Sequence, residues 1–110
     1  MIGYKFNEIK PDKLYLIYNK VWNCYKYGVT SKSINQRIND YIKFKELRLC
    51  DVSLIDCINT DKAKQYENEL HKLVAGYRFY QYDNNYPMRE HFIDCDDKLK
   101  QVLSFFSNLK

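Results

Sequence analysis

The sequence predicts a small α/β domain of the α+β type: a central antiparallel three-stranded sheet flanked by helices. Three observations lead there. Two apolar, tyrosine-rich runs, "LYLIY" at 14–18 and "CYKYGV" at 24–29, are separated by only the short, polar-ended "NKVWN", which pairs them as an antiparallel hairpin. A third run, "DVSLIDCI" at 51–58, is β-branched and apolar like a strand. Three other segments repeat apolar residues at helical spacing.

Each element can be justified in chain order. Residues 1–12 read as an N-terminal extension, and 13–110 as a single domain, long enough for one modest core. The hairpin comes first, with Gly28 near the end of its second strand, where a glycine marks a bulge or a close approach. Ser31 or Ser33 can cap a helix over 33–46, whose apolar stripe is Ile34, Ile38, Tyr41 and Ile42. After the third strand, Asn59, Thr60 and Asp61 offer caps for a helix over 62–78. Its core face is Ala63, Tyr66, Leu70, Leu73, Val74 and Tyr77. "EHFID" at 90–94 reads as a short strand or extended segment. A last helix over 96–109 starts at Asp96 or Asp97 and buries Leu99, Val102, Leu103 and Phe106.

Composition narrows the function classes. At 45% apolar residues the chain folds. Its net charge of +4 is a mild bias towards polyanions, too small to define a nucleic-acid binder by itself. Cys24, Cys50, Cys57 and Cys95 form no CxxC pair, and no histidine lies at zinc-ligand spacing from two of them. They read as reduced thiols, which argues against a redox or cysteine-metal protein. The sequence has neither a signal peptide nor a membrane-length apolar run, so a cytoplasmic protein is expected, in a bacterium or in a virus-infected host cell.

Several polar residues exceed what packing requires. Arg37 and Tyr41 share one helix face beside the apolar stripe, where an arginine either snorkels, pairs with an acid or serves a site. Glu67 lies at the core edge of its helix. A carboxylate there needs an ion pair, such as Arg37 or Lys64, or a cation. His71 follows one turn later. Tyr15 and Lys26 come from the two hairpin strands. Alternation points Lys26 away from Tyr25 and Tyr27, towards solvent or towards a site.

In order and spacing, these positions resemble the GIY-YIG nuclease superfamily. Lys13-Leu14-Tyr15 corresponds to the first tripeptide of that family and Lys26-Tyr27-Gly28 to the second. Arg37 corresponds to its helix-borne arginine, Tyr41 to the aromatic or histidine one turn later, and Glu67, in "YENELH", to its metal-binding glutamate. The resemblance covers about residues 13–93 and is greatest to a branch found in phages, large DNA viruses and some restriction enzymes, where lysine often opens the second motif. Lys13 in place of glycine and Lys26 in place of tyrosine are its two departures.

The resemblance implies a GIY-YIG-like fold and a divalent-metal-dependent endonuclease that hydrolyses phosphodiester bonds in DNA, with RNA as the alternative polymer. It implies Mg2+ (or Mn2+) on Glu67, Arg37 on the scissile phosphate, Tyr15 as base or water-orienting group, Lys26 as its cationic helper, and Tyr41 bonded to the water or a phosphate oxygen. Lys32, Lys43, Lys45 and Arg48 follow the site helix and would track backbone phosphates. His71 and Glu90 are supporting candidates, the former for packing and the latter for the fold around "EHF". At this size no separate DNA-reading module is expected, so specificity would be weak, or supplied by a homodimer or a partner protein. The rival expectation is the same fold kept as an inactive nucleic-acid- or protein-binding module.

Overall fold

A computed structural model of the chain describes residues 10–81 and 86–110. Most of the expected N-terminal extension, residues 1–9, lies outside these.

Among the described residues the strands are β1 (Lys13–Asn19), β2 (Cys24–Thr30), β3 (Val52–Asn59), β4 (Arg78–Gln81) and β5 (Tyr86–Phe92). The helices are α1 (Ile34–Phe44), α2 (Ala63–Leu73) and α3 (Lys98–Asn108). The strands form one sheet in the order β3-β1-β2-β5-β4, antiparallel at every pairing. The expected sheet of three strands is therefore corrected to five. The two added strands lie at 78–92, where a helical stripe ending in Tyr77 and a proline at 87 hide the alternation that would reveal a strand.

Register decides which side chains share a face. Tyr15 pairs with Gly28, Ile17 with Lys26 and Asn19 with Cys24, so these six face one way. Leu14, Leu16 and Tyr27 face the other. On that second face α2 and α3 cover the main core, where Leu14, Leu16, Tyr27, Leu70, Phe92, Val102 and Phe106 are buried together. On the first face α1 packs Ile34, Ile38 and Tyr41 against Tyr15 and Ile17. Each fully buried apolar side chain of this kind contributes roughly 1.5–3 kcal/mol.

The caps fix where the helices begin and end. Ser33, one of the two expected caps, accepts the Gln36 amide at 3.2 Å to start α1. Its end is a Schellman turn: the Leu47 amide reaches Ile42 O at 2.8 Å and the Glu46 amide reaches Lys43 O at 3.3 Å. Glu46 takes the left-handed position at φ 56°. The second helix is shorter than expected. It ends at Leu73, and Ala75–Tyr77 form a separate 3-10 turn that leads into β4. Asp97, one of the two expected starts, takes the N-cap position of α3, but its side chain makes no capping bond; the Leu99 amide donates instead to Asp94 Oδ1 at 3.1 Å. Leu103, expected in the core, is 37% exposed, because it lies one residue round from the buried Val102–Phe106 stripe.

A candidate phosphodiester-binding site at the parting of two strands

The site forms where β2 and β5 separate. Their ladder consists of Tyr25–Phe92 and Lys26–His91. Between Arg78–Phe92 and Tyr80–Pro87, β4 has one residue and β5 has four. This wide bulge in β5 contains Glu90, at φ 62°. A non-glycine residue in this region is strained and marks a place worth explaining. Here it delivers a carboxylate: Glu90 Oε2 lies 2.9 Å from Lys26 Nζ.

Lys26 is the hub. Alternation puts it on the α1 face, away from Tyr25 and Tyr27. That face is covered, so Lys26 is 5% exposed and does not point to bulk water. Its ammonium donates to Glu90, to Tyr15 Oη at 3.0 Å and to Tyr27 O at 3.3 Å, which engages all three of its protons. The Lys26 ammonium also stands 5.2 Å from the Tyr15 ring centre, and the Arg37 guanidinium stands 5.9 Å from the same ring.

Gly28 explains itself at this point. A Cβ there would stand 2.5 Å from Tyr15 Oη and 3.1 Å from Lys26 Nζ. The close approach marked by this glycine is thus the Tyr15 hydroxyl crossing its backbone.

Tyr41 reaches the same face from α1. Asn19 Nδ2 donates to its hydroxyl at 3.0 Å, and His91 Nε2 lies 2.9 Å from it. Burial pushes the Tyr41 phenol well above its usual pKa, partly opposed by the Asn19 hydrogen bond, so it is a neutral hydrogen-bonding group. The other end of Asn19 accepts the Val21 and Trp22 amides at 3.0 and 3.1 Å. The hairpin turn and the Tyr41 hydroxyl are therefore held by one side chain.

These residues surround a cleft of about 360 Å³. Lys26, Glu90 and His91 line it from the sheet, and Arg37, Asp40, Tyr41 and Phe44 from α1, with Lys45 beside them. Three cations against two carboxylates favour an anion. Lys45 has its pKa lowered by partial burial and then by the charge of Lys26.

Glu67 arrives from α2. It sits mid-stripe, with Ala63 and Leu70 buried on either side, and is 2% exposed. Lys64 Nζ binds its Oε1 at 3.0 Å, and its carboxyl hydrogen-bonds that of Glu90. Burial and that hydrogen bond raise the Glu67 pKa, and Lys64 opposes them. Burial also works against charge on Glu90, but Lys26 outweighs it and holds the Glu90 pKa down. The two carboxyls are therefore pushed in opposite directions, Glu67 up and Glu90 down.

His71, one turn on, places its Nδ1 2.6 Å from Tyr27 Oη. Donor atoms of Glu67, His71 and Glu90 all lie within 4.8 Å of one another. Two carboxylates in contact below the surface suit a divalent cation, and this donor set fits one.

A family model, the T5orf172 domain, matches residues 12–109. The chain belongs to the T5orf172 domain family. No curated protein and no solved structure matches it. The family is endonuclease-related, which points to a nuclease-related or DNA-binding role and a nucleic-acid partner.

Within this T5orf172 domain, the structure brings Lys26, Arg37 and Tyr41 to the cleft, buries Tyr15 behind them with its hydroxyl on Lys26, and links Glu67, which does not line the cleft, to Lys26 through Glu90. The four basic candidates disperse. Lys45 lines the cleft, Lys32 is bound to Asp40 at 2.7 Å, Arg48 lies 3.6 Å from Asp51, and Lys43 is exposed on α1. Glu90 is drawn from fold support into the site. Sequence reasoning missed Asn19, Phe44 and His91. The "NK" entry to the hairpin turn was the available signal for Asn19. Phe44 is 80% exposed at the cleft edge, and nothing in a single sequence separates it from a core phenylalanine. Among the described residues no helix is long and apolar enough to cross a membrane.

Proposed function

We infer that this domain is a divalent-metal-dependent endonuclease of the GIY-YIG type, acting on phosphodiester bonds in DNA. The carrying observation is convergence: groups from β1, β2, β5 and α2 meet within one hydrogen-bonded chain, and α1 brings Arg37 and Tyr41 beside it to line a cationic cleft.

The residues divide the work of hydrolysis. Arg37 offers its planar fork to the scissile phosphate. Tyr15, its oxygen held by the Lys26 ammonium, orients the attacking water and takes its proton as general base. Tyr41 supplies a neutral hydroxyl, fixed by Asn19, to the water or a phosphate oxygen. Glu67 holds Mg2+ or Mn2+ and Glu90 keeps Lys26 in place. The bound cation supplies Lewis acidity and offsets charge on the leaving oxygen. Phe44 and Lys45 present an aromatic face beside a cation (Lys45 Nζ lies 5.1 Å from the Phe44 ring centre), suited to a nucleotide next to the bound phosphate.

The test is nicking of supercoiled plasmid and cleavage of oligonucleotides in Mg2+ or Mn2+, with wild type beside Glu67→Ala. Metal-dependent nicking lost in the variant is expected. Salt-sensitive DNA binding with no turnover in either protein would instead establish the inactive binding module.

A further inference from the structure

We propose that Glu67, His71 and Glu90 form a single three-donor cation site whose imidazole makes it favour a first-row transition ion over Mg2+. The proposal rests on the nuclease reading only in sharing Glu67; it concerns which ion binds and which side chains hold it.

Three observations carry it. Glu67 and His71 stand four residues apart on α2, so both project to one side. The β5 bulge brings Glu90 to the same point from another element, in the strained conformation already described. The donor atoms of all three then fall within 4.8 Å of one another. Donors around a first-row ion stand roughly 3–4 Å apart, so small side-chain rotations close the cluster.

The surroundings leave each donor usable. Lys64 takes one oxygen of Glu67 and Lys26 one oxygen of Glu90, and the contact between the two carboxyls is the one that a cation would replace. His71 is oriented by Tyr27. With Nδ1 so engaged, Nε2 is the nitrogen left for a cation, and the Tyr27 contact is the kind of outer hydrogen bond that metal-bound histidines ordinarily have.

The nitrogen sets the preference. Mg2+ binds through oxygen and gives up its waters reluctantly, so an imidazole adds little to its affinity. Mn2+ accepts a mixed oxygen and nitrogen set, and Zn2+ binds imidazole more tightly still. Glu67 alone would not discriminate among them in this way.

The test uses the full chain without nucleic acid. Calorimetric titration of wild type with Mn2+ should give one site, at least ~10-fold tighter than for Mg2+. His71→Asn should weaken Mn2+ by about 10-fold or more and bring the two ions within about threefold of each other. Glu90→Gln should weaken both ions. A second measurement does not depend on a variant folding. The chain has two histidines, so Zn2+ added to the wild type should shift the ring signals of His71 in an NMR spectrum while those of His91 stay near their starting positions.

Unchanged Mn2+ affinity in a folded His71→Asn, no selective movement of the His71 signals, or no metal binding by wild type would each overturn the proposal. Failure here with metal-dependent nicking lost in Glu67→Ala would leave the nuclease reading standing on one carboxylate. Metal bound at His71 with no nicking would do the reverse.

Discussion

Gly28→Ala is the sharpest perturbation the geometry offers, because its sign depends on a single contact. No described glycine has a positive φ, so alanine is compatible with the backbone. Without a steric conflict the exchange would stabilise the strand by about 0.5–1 kcal/mol. The new Cβ, however, would stand 2.5 Å from Tyr15 Oη and 2.8 Å from Cζ. That is about 0.9 Å short of the 3.4 Å at which ordinary contact begins. Tyr15 is 1% exposed and its hydroxyl is backed by Lys26 at 3.0 Å, so the ring has little room to retreat. Overpacking of this kind costs about 1–3 kcal/mol, or roughly 4–12 °C in melting temperature for a domain of this size. Thermal unfolding followed by circular dichroism measures it. Tyr15→Phe removes the nearest atom, so the double variant should recover much of the loss, with a coupling of about 1 kcal/mol or more. Cleavage by Gly28→Ala should fall on the order of 10²-fold, as expected when a reacting group is displaced by about 1 Å. A melting temperature at or above wild type, additive with Tyr15→Phe, would refute the placement of Tyr15 across Gly28.

Three further outcomes follow from the same geometry. Asn19→Ala should cost about 1–3 kcal/mol, since it frees two turn amides and takes from the buried Tyr41 hydroxyl one of its two partners; urea unfolding measures it, and nicking should fall with it. Cys24 is buried, and burial pushes its thiol to about 12, so iodoacetamide followed by mass spectrometry should label exposed Cys50 and Cys95 rapidly and Cys24 only after unfolding. The Arg48 amide, donating to Asp51 Oδ2 at 2.9 Å, holds the Asp51 carboxyl below its ordinary range. Its stabilisation is therefore present above the unfolded-state pKa of about 3.9 and lost as pH falls through the lower folded value. Asp51→Asn should melt below wild type at pH 7, with the gap closing towards pH 2.

The legible part of this chain was its local part. The hairpin, its register, the Ser33 cap and the α1 stripe all arise from neighbours in sequence. The polar residues that exceeded packing, Tyr15, Lys26, Arg37, Tyr41 and Glu67, were visible as anomalies for the same reason. Of the β4–β5 pair only the end of β5 was, in the short strand or extended segment expected at 90–94, which overlaps β5 at 90–92; β4 was not, because aromatic residues after α2 continue its apolar pattern and the glycine at 76 only shortly precedes the strand. Glu90 was undervalued for a different reason: its position depends on a bulge and a left-handed residue, neither of which has a signature in "MREHF". Lys26 could be read as solvent-facing only while the second side of the sheet had no cover, and α1 provides it.

The most direct measurement is the single-turnover rate of plasmid nicking across a Mg2+ and Mn2+ series for wild type, Arg37→Ala and Glu67→Ala. The site described here predicts a wild-type rate that rises with metal to a plateau and vanishes in EDTA, with both variants slower on the order of 10²-fold or more and still folded. Equal nicking by all three proteins, or nicking that persists without divalent metal, would contradict it.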